Sequence, residues 1–283
     1  VHMSGKLFDK KGTKDAEIPS NLESRAQDLY EKLCEAAAES SDELMEKYLE
    51  TFELTQEELI GGLSLGVKEG VVTPVCCVSA AQNIGVYTLM DNIIHYLPSA
   101  DQAKAPKATN AKTGEEVVVS QDGKFAAQVV KTTFDQFGKY SIVKVYRGSL
   151  DVSVSLYNAN AEKTEKSTSP VILRGKKSIS VDKLNAGDIG ALPKLQYTAT
   201  GDTLCDPGDP VIFEAIDFPK PAISLAVTAK KQGEDDKVIS GLNRIMEEDP
   251  TIKIEKDSET GDVLIEGLGE MHIDVVCGKL KNK

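Results

Sequence analysis

Before residue 70 the apolar positions fall at steps of three and four. Leu22, Ala26, Leu29, Tyr30, Leu33 and Ala37 mark one such face, and Leu44, Met45, Tyr48 and Leu49 mark another that begins near Asp42. Both predict amphipathic helices. The first opens at Pro19-Ser20, where Ser20 and Glu23 have the spacing of a capping box; a third helix opens at Thr55 with Glu58 as its box partner. Residues 4–18 are polar without a period and predict a loop. Gly70 stops the helical block. Residues 71–78 are β-branched and apolar with no alternation, the pattern of a strand covered on both faces. After Gly85, helical spacing returns at Val86, Leu89, Met90, Ile93, Ile94 and Leu97, and Pro98 closes that helix. One strand and one helix make one α/β unit, which is less than a domain.

Residues 99–114 are rich in Ala, Lys, Pro and Thr and predict a linker or extended arm. The period then changes to two. Strands are predicted over 125–133, 140–147, 152–158, 162–168, 171–173, 189–192 and 211–215, separated by turn signals such as Asp122-Gly123, Gly187-Asp188 and Pro207-Gly208. Many short strands with regular turns predict a closed barrel. Pro219 and Pro221 mark another boundary. Beyond them the order is strand 223–228, helix 235–247, strands 252–256 and 263–266, and a helix from 269 to about 280. That is a ferredoxin-like split βαβ domain lacking its last strand. The fold class is therefore multi-domain α+β. The expected divisions are a partial helical subdomain (1–70), a partial α/β unit (71–98), a linker (99–114), a barrel (115–217) and an α/β sandwich (218–283).

Charge refines this picture. The chain has 283 residues with 33 basic and 45 acidic side chains, a balance that argues against a general nucleic-acid clamp. The excess is local: residues 15–60 hold 14 acidic and three basic residues, and the remainder is nearly neutral. A solvated face is the simplest reading of those acidic helices, with docking as the alternative. Cys34, Cys76, Cys77, Cys205 and Cys277 form no C-x-x-C and predict reduced thiols in a cytoplasmic protein. Adjacent Cys76 and Cys77 would point to opposite faces of a strand, which suits burial better than a shared metal. No apolar run reaches the length of a membrane span. Val1-His2 ahead of Met3 is expected to be a cloning remnant, and both ends of the chain look cut.

No G-x-x-x-x-G-K-[ST] phosphate loop and no Asn-Lys-x-Asp motif occurs in the sequence. Ser79-Ala80 follow the predicted strand directly, where backbone N–H groups of a tight turn can face a planar ligand; an ordinary strand–helix turn is the plain alternative. Asp135-Gln136-Phe137-Gly138 fits D-x-x-G, but between two barrel strands it predicts a hairpin turn. In Gly267-Leu268-Gly269-Glu270-Met271-His272 the glycines permit a strand-to-helix turn, and Glu270 suits the positive end of the helix. His2, His95 and His272 have no metal or catalytic spacing, and no nucleophile–base pair stands out.

Set side by side, these segments resemble bacterial elongation factor G over nearly the whole chain. The resemblance is carried by Leu44-Met45-Glu46-Lys47-Tyr48-Leu49-Glu50, Phe137-Gly138-Lys139, Val145-Tyr146-Arg147-Gly148, Ala186-Gly187-Asp188-Ile189 and Thr200-Gly201-Asp202-Thr203-Leu204-Cys205. It continues through Phe218-Pro219-Lys220-Pro221, Glu247-Glu248-Asp249-Pro250 and the Gly267–His272 motif. It implies the helical insert and the end of a GTPase domain, then the barrel of domain II and most of domain III. It further implies a monomeric, cytoplasmic, membrane-free factor whose partner is the ribosome, its RNA and its proteins. GTP hydrolysis in the full-length parent would drive translocation. Ser79 and Ala80 would contact the guanine of GTP or GDP, bound there with magnesium. Lys139, Arg147 and His272 would be contacts to ribosomal RNA, with solvated charge an equal alternative for Lys139 and Arg147. The hydrolytic residues would lie upstream, so the chain alone is expected to be inactive and to hold neither nucleotide nor metal. Residues 163–179 lack the arginine-rich barrel strand of the family, which favours a factor-G-like paralogue or a ribosomal-protection relative. A non-enzymatic ribosome- or RNA-binding module is the rival reading, and the buried-type strand at 71–78 argues against it.

Overall fold

The structure is a computed structural model that describes residues 1–9, 12–135, 138–175, 177–229 and 233–281. It divides into two compact units, Val1–Ala103 and Lys104–Lys283. The first begins with an antiparallel hairpin, β1 (Gly5–Asp9) and β2 (Gly12–Ala16). This corrects the loop expected over 4–18. Neither five-residue strand shows hydrophobic alternation, since Leu7 and Phe8 of β1 are adjacent and β2 is polar but for Ala16, so only their mutual pairing reveals them.

Helices α1 (Ser20–Ala38), α2 (Asp42–Thr51) and α3 (Gln56–Glu69) follow. The box at Thr55 forms in full: the Glu58 N–H donates to Thr55 Oγ1, and the Glu58 carboxylate accepts from the Thr55 N–H. The box expected at Ser20 does not form. Pro19 holds the cap position, Ser20 is already helical, and no side chain caps that end. Gly70 ends α3 in the left-handed conformation, as a residue without Cβ does most readily. Cys34, Ala37, Leu59, Leu63 and Tyr96 form the core of this unit. Gly62 lets α3 approach α1 closely, because a Cβ there would stand 2.7 Å from the Ala37 carbonyl oxygen.

The strand expected over 71–78 is absent. The segment is irregular, with Val75 at 88% exposure, and its one bridge near the end joins Ser79 to Ile84. A strand buried on both faces needs neighbours to pair with. Among the described residues of this unit the only strands are β1 and β2, and they pair with each other. Helix α4 (Val86–Tyr96) forms as expected, but Met90, Ile93 and Ile94 of its apolar face stand exposed.

The second unit opens with β3 (Ala108–Asn110) and β4 (Glu116–Val117). Then come β5 (Ala126–Asp135), β6 (Gly138–Arg147), β7 (Ser149–Asp151), β8 (Ser155–Asn158) and β9 (Lys163–Lys166). β10 (Val171–Arg174), β11 (Lys177–Ser180), β12 (Lys183–Asn185), β13 (Ile189–Pro193), β14 (Thr203–Cys205) and β15 (Val211–Phe213) complete the set. Eight of them form one sheet in the order β11-β10-β13-β6-β5-β14-β8-β9. It surrounds a core that includes Val129, Val143, Leu156, Leu192 and Leu204. The sheet is barrel-like, and among the described residues its hydrogen-bonded order ends at β11 and β9 where a closed barrel was expected. β3 pairs with β15, so part of the expected linker is built into this unit. The strand expected over 152–158 is shorter, because Ser153 turns the chain at a φ of 62°.

The chain ends with β16 (Ile223–Val227), α5 (Asp235–Glu248), β17 (Lys253–Lys256), β18 (Val263–Gly267) and α6 (Glu270–Lys281). The antiparallel sheet order is β16-β18-β17. Leu242 and Ile245 of α5 and Ile273 and Val276 of α6 bury against Ile252 and Ile265. This is the expected split βαβ pattern with three strands among the described residues.

Candidate functional site

Three places carry the residues singled out by sequence. The first is the loop from Ser79 to Gly85. Ser79 and Ile84 exchange both backbone hydrogen bonds at 3.0 Å, and the Asn83 N–H donates to the Ala80 carbonyl oxygen at 3.3 Å. Asn83 and Gly85 take left-handed conformations at φ 55° and 73°. At Gly85 a Cβ would stand 3.2 Å from the Cys77 carbonyl oxygen, so the backbone folds closely over itself there. The result is a tight turn feeding α4, with Ser79 half-buried and Ala80 exposed. The Ser79 N–H already has a partner inside the turn. A shallow cavity of about 110 Å³ opens beside it, lined by Lys6, Phe8, Asn83, Gly85, Tyr87 and Thr88. Neither Ser79 nor Ala80 is among those lining residues.

The second place is the barrel. Lys139 and Phe134 are opposite each other near the end of the β5–β6 hairpin. Asp135 and Gly138 close that hairpin, with the Gly138 N–H donating to Asp135 Oδ1 at 3.2 Å. The turn residues Gln136 and Phe137 lie outside the described residues. The Lys139 side chain is only 15% exposed, and its ammonium meets Glu247 Oε2 of α5 at 2.9 Å. Arg147 lies deeper. Its Nε donates to the Lys124 carbonyl oxygen at 2.8 Å, and its other arm meets Asp209 Oδ2 at 2.7 Å. Both cations offered as phosphate contacts therefore have carboxylate partners inside the second unit.

The third place is the turn from β18 into α6. The Leu268 N–H donates to His272 Nδ1 at 3.1 Å. That leaves the ring proton on Nε2, which donates to Asp249 Oδ2 at 3.1 Å. Burial pushes the Asp249 carboxyl up, but hydrogen bonds from the Thr251 hydroxyl and N–H and from His272 outweigh it. Asp249 ends below the usual carboxylate range. His272 thus ties two motifs 23 residues apart. Among the described residues no group of three or more His, Cys, Asp or Glu is placed to hold a metal ion.

Sequence reasoning missed Glu247, Asp209 and Asp249 as partners. For Glu247 and Asp249 one signal was present: Glu247, Glu248 and Asp249 put three carboxylates at the negative end of α5, where the helix dipole disfavours them. Such a run calls for donors from elsewhere in the fold.

Residues 124–207 match the family described as elongation factor G domain 2, and residues 218–283 match elongation factor G, domain III. The chain is similar to a protein from Thermus thermophilus of known crystal structure, with a TM-score of 0.80 at 27% identity. The match covers 99% of this chain and 40% of the Thermus chain. The present sequence thus spans well under two thirds of that relative's length. No helix among the described residues is long and apolar enough to cross a membrane.

Proposed function

Because it carries domain 2 and domain III of elongation factor G in order, the chain is an elongation-factor-G-like fragment of a translation factor, and we propose that its parent is a ribosome-associated GTPase. In this reading GTP hydrolysis in the parent resets a ribosome-bound conformation during translocation. The order of the two domain matches is the observation that carries the proposal.

The fragment's part is binding and positioning. The Ser79–Gly85 turn forms one corner of the guanine pocket in the parent, with Ser79 and Ala80 at the base. The barrel and sandwich form the body that docks on ribosomal RNA and protein. The residues present do not fit a whole nucleotide: without a phosphate loop or a base-reading Asn-Lys-x-Asp, nothing here holds the triphosphate or its magnesium. No chemical step is assigned to this chain.

A second reading has one observation in its favour. Between 163 and 179 the sequence has a single arginine, Arg174. A barrel poor in arginine there fits a factor-G-like paralogue or a ribosomal-protection protein.

The natural coding sequence upstream of the Met3 codon tests the GTPase proposal. An in-frame G-x-x-x-x-G-K-[ST] followed by Asn-Lys-x-Asp is expected. A start codon just ahead of Met3 without those motifs would sink it and leave a binding module. Pelleting the chain with ribosomes at low salt tests docking separately, and recovery wholly in the supernatant counts against it.

A further inference from the structure

The eight-stranded sheet ends differently at its two edges. At β9 the side chains are engaged. Glu165 accepts from the Gln196 N–H and the Thr198 hydroxyl, and the Lys163 ammonium lies over the Tyr197 ring, 4.0 Å from its centre. At β11 all four residues are exposed, and among the described residues the strand pairs only with β10.

The β10–β11 register fixes which backbone groups of β11 stand free. The Val181 N–H donates to the Pro170 carbonyl oxygen at 3.0 Å, one step beyond the paired residues. Bonded and non-bonded pairs alternate along an antiparallel ladder. Ile172–Ile179 and Arg174–Lys177 are therefore the bonded pairs, and the N–H and C=O groups of Ser178 and Ser180 point away from β10. Side chains alternate too, so Ile172, Arg174, Lys177 and Ile179 share one face of this hairpin. Ile172 and Ile179 are 37% and 42% exposed, and Arg174 and Lys177 are exposed as well. Residues 166–181 hold four basic and no acidic side chains, in a chain whose net charge is −12.

We infer that the β11 edge is a strand-addition site for an extended peptide that carries an apolar and an acidic residue two positions apart. The peptide backbone pairs with Ser178 and Ser180. Its acidic side chain lies beside Lys177 and its apolar one beside Ile179, as cross-strand neighbours do. A second copy of the chain is a poor occupant, because two such edges would set basic side chains against basic ones. RNA phosphates would meet the two cations but leave both isoleucines and the outward carbonyls unused. The site is independent of GTP chemistry, so its test and that of the parent's activity can fail separately.

The probe is a fluorescein-labelled, C-amidated peptide, Thr-Val-Thr-Val-Thr-Glu-Thr-Glu, titrated with the intact chain at about 0.15 M salt and read by fluorescence polarisation. Saturable binding is expected. Ser178→Pro removes one outward N–H while sparing the bonds of β11 to β10, and should weaken binding about tenfold. N-methylation of the peptide's third threonine, which faces Ser178, should weaken it as much. Lys177→Glu should cost about two- to fivefold, the scale of one exposed ion pair. A peptide with lysines in place of glutamates should regain that loss. Failure of the wild-type chain to bind overturns the proposal, as does unchanged binding in Lys177→Glu. Full binding by Ser178→Pro or by the N-methylated peptide would reduce the edge to a charged patch and overturns it too. Displacement of the peptide by oligouridylate of equal length at lower concentration would assign the edge to RNA instead. If Ser178→Pro lacks native circular dichroism, the N-methylated peptide decides the backbone pairing on the unaltered chain.

Discussion

At the scale of single residues, His272 differs from the other candidates in that one side chain both accepts and donates a hydrogen bond. Its two ring nitrogens act in opposite senses, one accepting from Leu268 and the other donating to Asp249. No smaller side chain reaches both. His272→Ala should therefore cost about 1–3 kcal/mol, the range for losing a hydrogen bond to a charged acceptor and leaving a backbone donor unpaired. The urea midpoint should fall with an unchanged slope; an unmoved midpoint would show that water replaces the ring at no cost. Asp249 adds a pH dependence. Its carboxyl is lowered in the folded chain, so its contribution is fully present above the unfolded value of about 4. That contribution is lost as pH falls through the lowered folded value. The stability gap between wild type and Asp249→Asn should accordingly shrink with acidification below about pH 4, as read from urea unfolding at successive pH values. A gap constant to low pH would contradict the lowered carboxyl. Lys139 and Arg147 illustrate the opposite case from an open binding residue, since each cation already faces a carboxylate of its own unit.

At the scale of elements, the segment over 71–78 separates propensity from partnership. Its valines and cysteines describe a strand that expects sheet on both sides, yet no partner strand stands beside it among the described residues. Its amides should exchange with deuterium far faster than those of β5 and β6, which pair with each other along their length with irregularities at two places. Comparable protection in the two regions would mean that the segment has found a partner. The same distinction explains what could be read beforehand. Helices α1 to α4 and the long strands β5 and β6 have enough residues to display a period, as do the elements of the sandwich. β12 and β14 have three residues each, too few to display a period, and β11 is exposed along its whole length, so burial does not mark it. β1 and β2 show no alternation and are revealed by their pairing alone. At the candidate site, the turns at Gly85 and Gly267 were legible because glycine and a strand-to-helix change announce them. The partners of Lys139, Arg147 and His272 were not, because they come from 108, 62 and 23 positions away in the chain.

At the scale of the whole molecule, the cores decide how the chain unfolds. One cluster draws only on residues up to Tyr96; the other four draw only on residues from Ala108 onward. Among the described residues each unit thus has a buried cluster of its own, and with it its own source of hydrophobic stabilisation. The two are unequal. The first unit leaves Val71, Val75, Tyr87 and Ile94 each more than two-thirds exposed, and such side chains add nothing to its stability. The second unit buries Leu150, Leu156, Leu184, Leu192 and Leu204 almost completely. Each fully buried leucine contributes about 1.5–3 kcal/mol relative to exposure. Calorimetry of the full chain should therefore show two transitions, the lower from the first unit. The excised segment 104–283 should keep the upper one to within about 3 °C, a shift that corresponds to less than about 1 kcal/mol for a body of this size. Within that transition the barrel and sandwich should melt together while the Lys139–Glu247 pair holds. In Lys139→Glu the upper transition should broaden or divide, and in the Lys139→Glu/Glu247→Lys exchange it should sharpen again. A single transition for the full chain that disappears in the excised segment would show that the second unit draws its stability from the first, against the separation of their cores.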